Sequence, residues 1–248
     1  MMQTSNASLY GKGIFSTIAF SSGKAFLWEK HWRRLTDNAT RVGVDLAGHT
    51  ERSTRDALER SIATSGIADG RARITFLDDS PSKMWPGDVE SKTELSIIVA
   101  ERRVVPQPFR LTVSPYQVNS SSPLAGVKSC NYLENILALD EAKSRGFHEA
   151  VRLNERSHIT SASMANIFWL KGDKLITPAL STGCLAGTTR EFVLENIDCE
   201  EVEVAINELD SAAAIFLTSA GIGIVEASRF DGRDLLESSH EILKYLRN

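Results

Sequence analysis

Little in this sequence invites a polyanion, a metal ion or a membrane. No run of lysine or arginine appears, and 28 basic residues against 32 acidic ones leave a formal charge of -4. That balance argues against the phosphate backbone of DNA or RNA as the partner. Cysteine occurs only at Cys130, Cys184 and Cys199. An odd set without CxxC spacing is read as reduced thiols, with neither a disulfide framework nor a zinc site. The histidines (His31, His49, His148, His158 and His240) lie far apart and offer no metal-ligand spacing, so no metal is expected. No apolar stretch is long enough to span a bilayer, and the opening MMQTSNASLYGKG has no signal-peptide core. The chain is therefore expected to be cytoplasmic.

What is present suits an ordinary globular protein: 248 residues, 42% hydrophobic and 24% charged, enough for one large domain or two modest ones. GKGIFSTIAFSSGKAFLW reads as two strands around the Ser21–Gly23 turn. Leu27, Trp28, His31, Trp32, Leu35, Ala39 and Val42 then follow helical spacing, and a second helix is expected to end at Gly66. RARITFLDD and ELSIIVAER read as buried strands. RRVVPQPF, with two prolines between strand patterns, is the expected linker. Beyond it lie the strand RLTVSP, a serine-rich loop and a helix after Lys128. For that helix the spacing predicts a capping box from Asn131 to Glu134, a core-facing stripe of Leu133, Ile136 and Leu137, and an end at Gly146. Hairpins are expected to turn at Asn154–Ser157 and Gly172–Asp173. A helix opens at LAGTTR, and further strands and a C-terminal helix through ILKYLR complete the chain. Helices and strands mix without strict βαβ alternation. The reading is therefore α+β with two domains, a smaller one at residues 1–105 and a larger one at 106–248 carrying Lys128.

Four places attract chemical interest. Lys128 sits between the apolar stretch Leu124–Val127 and a helix. It is either a lysine that snorkels to the surface or a desolvated amine available as a nucleophile. His31 and Arg34 in HWRRL stand one helical turn apart, and taken alone they read as a solvated basic face. Gly187, Thr188 and Thr189 open a helix whose N-terminus attracts a phosphate, or simply supply a threonine cap. Thr218 and Ser219 in FLTSAG close a strand, where their hydroxyls serve a ligand or only the turn.

The segments GKGIFST, LWEKHWRRL, LAGVKSCNYLEN, HITSASMANIFWLKGDKLITP and LAGTTREFVLE together resemble, in order and spacing, the class IV aminotransferases. These are the fold-type IV pyridoxal 5'-phosphate (PLP) enzymes, which include D-amino-acid and branched-chain aminotransferases and 4-amino-4-deoxychorismate lyase. The resemblance runs from Gly11 onward, without the family's usual first hairpin. It implies a D-amino-acid aminotransferase-like fold and a homodimer. It implies a Schiff base between PLP and Lys128, which also moves the substrate's Cα proton, with Asn131 matching the accompanying asparagine. Arg34 then holds the cofactor phosphate, aided by Thr188 and Thr189 and by the strand-end Thr218 with Ser219.

Two departures stand out. Where the family usually has glutamate against the pyridine nitrogen, this chain has Ser161. A serine only hydrogen-bonds there, so the ring is a weaker electron sink. That tilts the expectation towards a lyase resembling 4-amino-4-deoxychorismate lyase, giving 4-aminobenzoate and pyruvate. The alternatives are an aminotransferase for a branched-chain or D-amino acid, and a PLP-binding paralogue of reduced activity. The other departure is Ala19, near where many members carry an arginine; Arg73 is the candidate for a substrate carboxylate.

Overall fold

The structure, a computed structural model, describes residues 4–82, 85 and 90–246. The chain forms two compact units, Met1–Arg103 with Val127–Tyr132, and Val104–Gly126 with Leu133–Asn248.

The first unit opens with a short helix, α1 (Asn6–Tyr10), followed by β1 (Gly13–Ser21) and the two-residue β2 (Lys24–Ala25). Helices α2 (Trp28–Val42) and α3 (Glu51–Ser65) come next, then β3 (Gly70–Asp78) and β4 (Thr93–Glu101). The strands form one antiparallel sheet in the order β2-β1-β3-β4. Local chemistry sets the ends of α3: Thr50 and Ser53 cap each other's backbone, and Gly66 closes the helix at φ 71. Alternation in β1 and β3 sends Ile14, Ile18, Phe20, Ala72, Ile74 and Phe76 to one core, shared with Trp28, Leu35, Leu58 and Ile62 of the helices. Each such large side chain contributes about 1.5–3 kcal/mol on burial. Ser16 lies in that alternation and is fully buried, a polar residue on an apolar face.

Lys128 belongs structurally to this unit, whereas the sequence reading puts it in the larger domain. Main-chain pairing is the reason. Phe15 N donates to Lys128 O over 2.9 Å, Cys130 N donates to Gly13 O over 2.8 Å, and Ile14 bridges Ser129. The segment thus lies along the start of β1.

In the second unit β5 (Arg110–Val113) and α4 (Leu133–Ser144) are followed by β6 (Glu149–Leu153), β7 (Ile159–Ala162), β8 (Asn166–Lys171) and β9 (Lys174–Pro178). Then come α5 (Thr188–Asn196), β10 (Cys199–Val202), β11 (Ala214–Ser219), β12 (Gly223–Glu226), β13 (Arg229–Phe230) and β14 (Arg233–Asp234). They build two five-stranded sheets, ordered β10-β9-β8-β11-β12 and β14-β13-β5-β6-β7. Leu111, Val151 and Ile159 of one sheet share a core with Ile167, Trp169, Ile215 and Leu217 of the other. The hairpins β6–β7 and β8–β9 form where the sequence places them.

Three expectations are corrected. Helix α4 starts at Leu133, two residues after Asn131, so Asn131 is not the residue that immediately precedes the helix; its side-chain amide donates to Gly11 O over 3.1 Å. The face of α4 turned to the core is Ala138, Leu139 and Ala142, while Leu133, Ile136 and Leu137 are exposed at 66%, 41% and 50%. The last helix is a 3-10 turn, Glu241–Leu246, drawn tight by Leu243 N donating to His240 O; Arg247 lies outside the described residues.

Candidate active site

Lys128 is half-buried, and its amine has little to compensate the loss of water. Burial first, then the guanidinium groups of Arg34 and Arg73, pushes its pKa well below that of an ordinary lysine. The Nζ donates to the Tyr132 hydroxyl over 3.2 Å and lies 4.5 Å from the Phe15 ring centre and 4.6 Å from that of Tyr132. Phe15 and Tyr132 meet edge to face at 5.1 Å, so the amine rests in an aromatic corner that fixes its direction. Arg73, on β3, stacks over Phe15 at 3.6 Å and donates from Nε to Thr75 Oγ1.

His31 and Arg34 do not form the solvated face that HWRRL suggests. His31 is 1% exposed, with Nδ1 2.8 Å from Ser16 Oγ, and Arg34 Nη2 donates to the same oxygen over 2.7 Å. Burial, then the charges of Arg34 and Lys128, hold the His31 pKa well below its usual value. A neutral His31 leaves Ser16 free to accept from Arg34, so a strand hydroxyl aims the guanidinium. Arg34 and Arg73, whose charges both act on Lys128, are cations suited to an anion.

The second unit carries the other candidates. Gly187 caps α5 without a side-chain bond, so the threonine-cap reading does not hold, and Thr188 and Thr189 are the first helical residues. A Cβ at position 187 would fall 2.0 Å from Asn166 Oδ1, which makes glycine the residue that fits. Asn166 donates to Leu185 O and pairs across the sheet with Thr218. Thr218 is 1% exposed, and its Oγ1 is buried with no hydrogen-bond partner. An orphaned hydroxyl costs stability unless a ligand satisfies it. Ser219 follows it at the strand end, half-buried. Ser161 is half-buried on β7, directly opposite Arg152 on β6.

The class IV aminotransferase model matches residues 13–230. The chain belongs to the class IV aminotransferase family, and it is an enzyme. It is 28% identical over 244 residues to aminodeoxychorismate lyase of Vibrio harveyi, covering 88% of this chain and 83% of that protein. The branched-chain aminotransferase of Thermoproteus uzoniensis, solved with norvaline, has a TM-score of 0.89 at 26% identity, covering 98% of this chain and 85% of that one. A hypothetical aminotransferase of Mycobacterium tuberculosis, solved in a PLP-bound form, shares the fold at a TM-score of 0.79 and 20% identity, covering 95% and 87% of the two chains. Members of this family use PLP, and it is the cofactor here.

The residues present fit it. In the first unit a desolvated amine suits its aldehyde and guanidinium groups suit an anion; in the second, considered by itself, a helix N-terminus and the orphaned Thr218 hydroxyl are groups of the kind that suit a phosphate. Sequence reasoning missed Ser16, Tyr132 and Asn166. Only Ser16 left a signal, as the one polar residue among the inward-facing positions Ile14, Ile18 and Phe20.

Proposed function

We propose that the protein is a PLP-dependent lyase acting on 4-amino-4-deoxychorismate or a close analogue, releasing pyruvate and an aromatic amine. PLP supplies the electron sink that makes the α-proton of an amino acid removable. Lys128 Nζ would hold the cofactor and would also move the substrate's Cα proton. Its lowered pKa supplies the neutral amine both tasks need. The Tyr132 hydroxyl, which accepts a hydrogen bond from Nζ, keeps the amine in place. Arg34, directed by Ser16, is the first unit's candidate for the phosphate, and Thr188, Thr189, Thr218 and Ser219 are the second unit's candidates. Asn131 steadies the lysine segment through Gly11, and Arg73 takes the substrate carboxylate.

Ser161 carries the choice of reaction. A hydroxyl where a carboxylate would sit leaves the cofactor a weaker sink. That handicaps transamination, which must store electrons at length, more than an elimination whose leaving group departs as charge develops. Similarity to a curated aminodeoxychorismate lyase supports the same reading. An aminotransferase is the second reading, favoured by the likeness to the Thermoproteus uzoniensis enzyme. Product analysis separates the two. A lyase forms pyruvate from aminodeoxychorismate with no keto acid added; turnover only when a keto-acid acceptor is supplied would establish the aminotransferase.

The protein is further proposed to act as a cytoplasmic homodimer. Leu133, Ile136 and Leu137, exposed along α4, form an apolar strip suited to a second copy. No helix among the described residues is long and apolar enough to cross a membrane.

A further inference from the structure

Ser16 is fully buried, and two side chains reach its hydroxyl: Arg34 Nη2 at 2.7 Å and His31 Nδ1 at 2.8 Å. Among the described residues that hydroxyl has no further partner. The two contacts differ in kind. A guanidinium has only donors to offer, so the Ser16 oxygen accepts from Arg34. The one hydroxyl proton is left for His31. A proton on His31 Nδ1 would make the serine oxygen accept twice and leave its O–H without an acceptor in the core, and an unmet buried donor is costly. With Nδ1 bare, every group at the oxygen is met. An imidazolium is opposed further, because His31 is 1% exposed and the charges of Arg34 and Lys128 already act on it. The hydrogen bonds therefore run one way, from Arg34 to Ser16 to His31, with the ring proton on Nε2.

We propose that His31 is a positioning residue for the phosphate subsite: its bare Nδ1 takes the Ser16 hydroxyl proton and so turns the serine oxygen towards Arg34. This rests on the reading in which Arg34 takes the cofactor phosphate. The anchor is firm, since His31 lies one turn before Arg34 on α2 and its main-chain N–H donates to Leu27 O over 3.1 Å. A long arginine side chain held in one direction loses less freedom when an anion binds. The competing account makes His31 a packing residue with no bearing on Arg34.

The test joins the tautomer to its consequence. Long-range 1H–15N correlation spectra of the apo-protein near neutral pH report which ring nitrogen is protonated, and the signals lost in His31→Asn assign His31 among the five histidines. A proton on Nε2 alone is expected; an imidazolium or a proton on Nδ1 overturns the proposal. Fluorescence titrations then compare PLP with pyridoxal, which lacks the phosphate. His31→Phe has no acceptor and should weaken PLP binding about tenfold while changing pyridoxal binding little. His31→Leu serves the same purpose if phenylalanine fails to fold. Asparagine carries its acceptor oxygen where histidine carries Nδ1, so His31→Asn should retain most of the affinity. Packing predicts the reverse order, because phenylalanine fills the space that asparagine leaves empty. In a Ser16→Ala background His31→Phe should add nothing, since its effect passes through that hydroxyl. An equal further loss there, or a loss shared alike by PLP and pyridoxal, overturns the role of His31 and leaves the cofactor reading standing. Wild-type protein that binds PLP no better than pyridoxal overturns both.

Discussion

Arg34 Nη2 donates to Ser16 Oγ over 2.7 Å, so a helix guanidinium is aimed by a hydroxyl buried in the neighbouring strand. Hydrogen bonds to charged groups contribute about 1.5–3 kcal/mol. Ser16→Ala should leave Arg34 charged but unaimed and weaken PLP binding about tenfold or more. Fluorescence titration of the apo-protein with PLP checks this; an unchanged affinity would separate Ser16 from phosphate binding.

Thr218 makes a prediction of opposite sign on two observables. Its Oγ1 is buried without a partner, so Thr218→Val removes a cost from the apo-protein and raises its stability, by up to about 1 kcal/mol. The same change removes a proposed phosphate ligand and should lower PLP affinity several-fold. Denaturant melts of the apo-protein beside PLP titrations provide the check. Loss of both stability and affinity would assign Thr218 a packing role alone.

Lys128 ties stability to pH. Its pKa in the folded protein is well below 10.5, so between the two values the unfolded chain holds a proton that the folded chain lacks. Stability of the apo-protein therefore rises with pH across that window. The cost of burying the amine is greatest below the folded value and vanishes above about pH 10.5. Lys128→Met should raise the Tm of the apo-protein, with a gain that shrinks as pH climbs towards that limit. A gain independent of pH would show that the amine keeps its ordinary pKa.

The strip on α4 bears on assembly. Replacing Leu133 and Leu137 together with serine should halve the mass seen by light scattering, with the fold retained because both side chains are largely exposed. An unchanged dimer mass would place the interface elsewhere, and a wild type that runs as a monomer would remove the proposed dimer.

Most of the fold was legible in the sequence because its signals are local. The capping pair Thr50 and Ser53 with Gly66, the alternation of Ile14 to Phe20, and the hairpin turns each depend on a few neighbouring residues. What was illegible depends on partners distant in the chain. His31 and Arg34 read as a surface pair until Ser16, from another element, gives both a bond. Asn131 looked like a cap because nothing nearby announces Gly11 as its acceptor. Helix α4 misleads because it has apolar residues on several sides, and alanines at 138 and 142 let it approach the sheet closely.

The central claim is that Lys128 anchors PLP. The direct measurement is the visible spectrum of the protein after incubation with PLP and gel filtration, followed by borohydride reduction and mass spectrometry of its peptides. A band that travels with the wild-type protein, a phosphopyridoxyl adduct on Lys128 and neither in Lys128→Ala are the expected result. Wild-type protein that emerges colourless, or an adduct on another lysine, would contradict it.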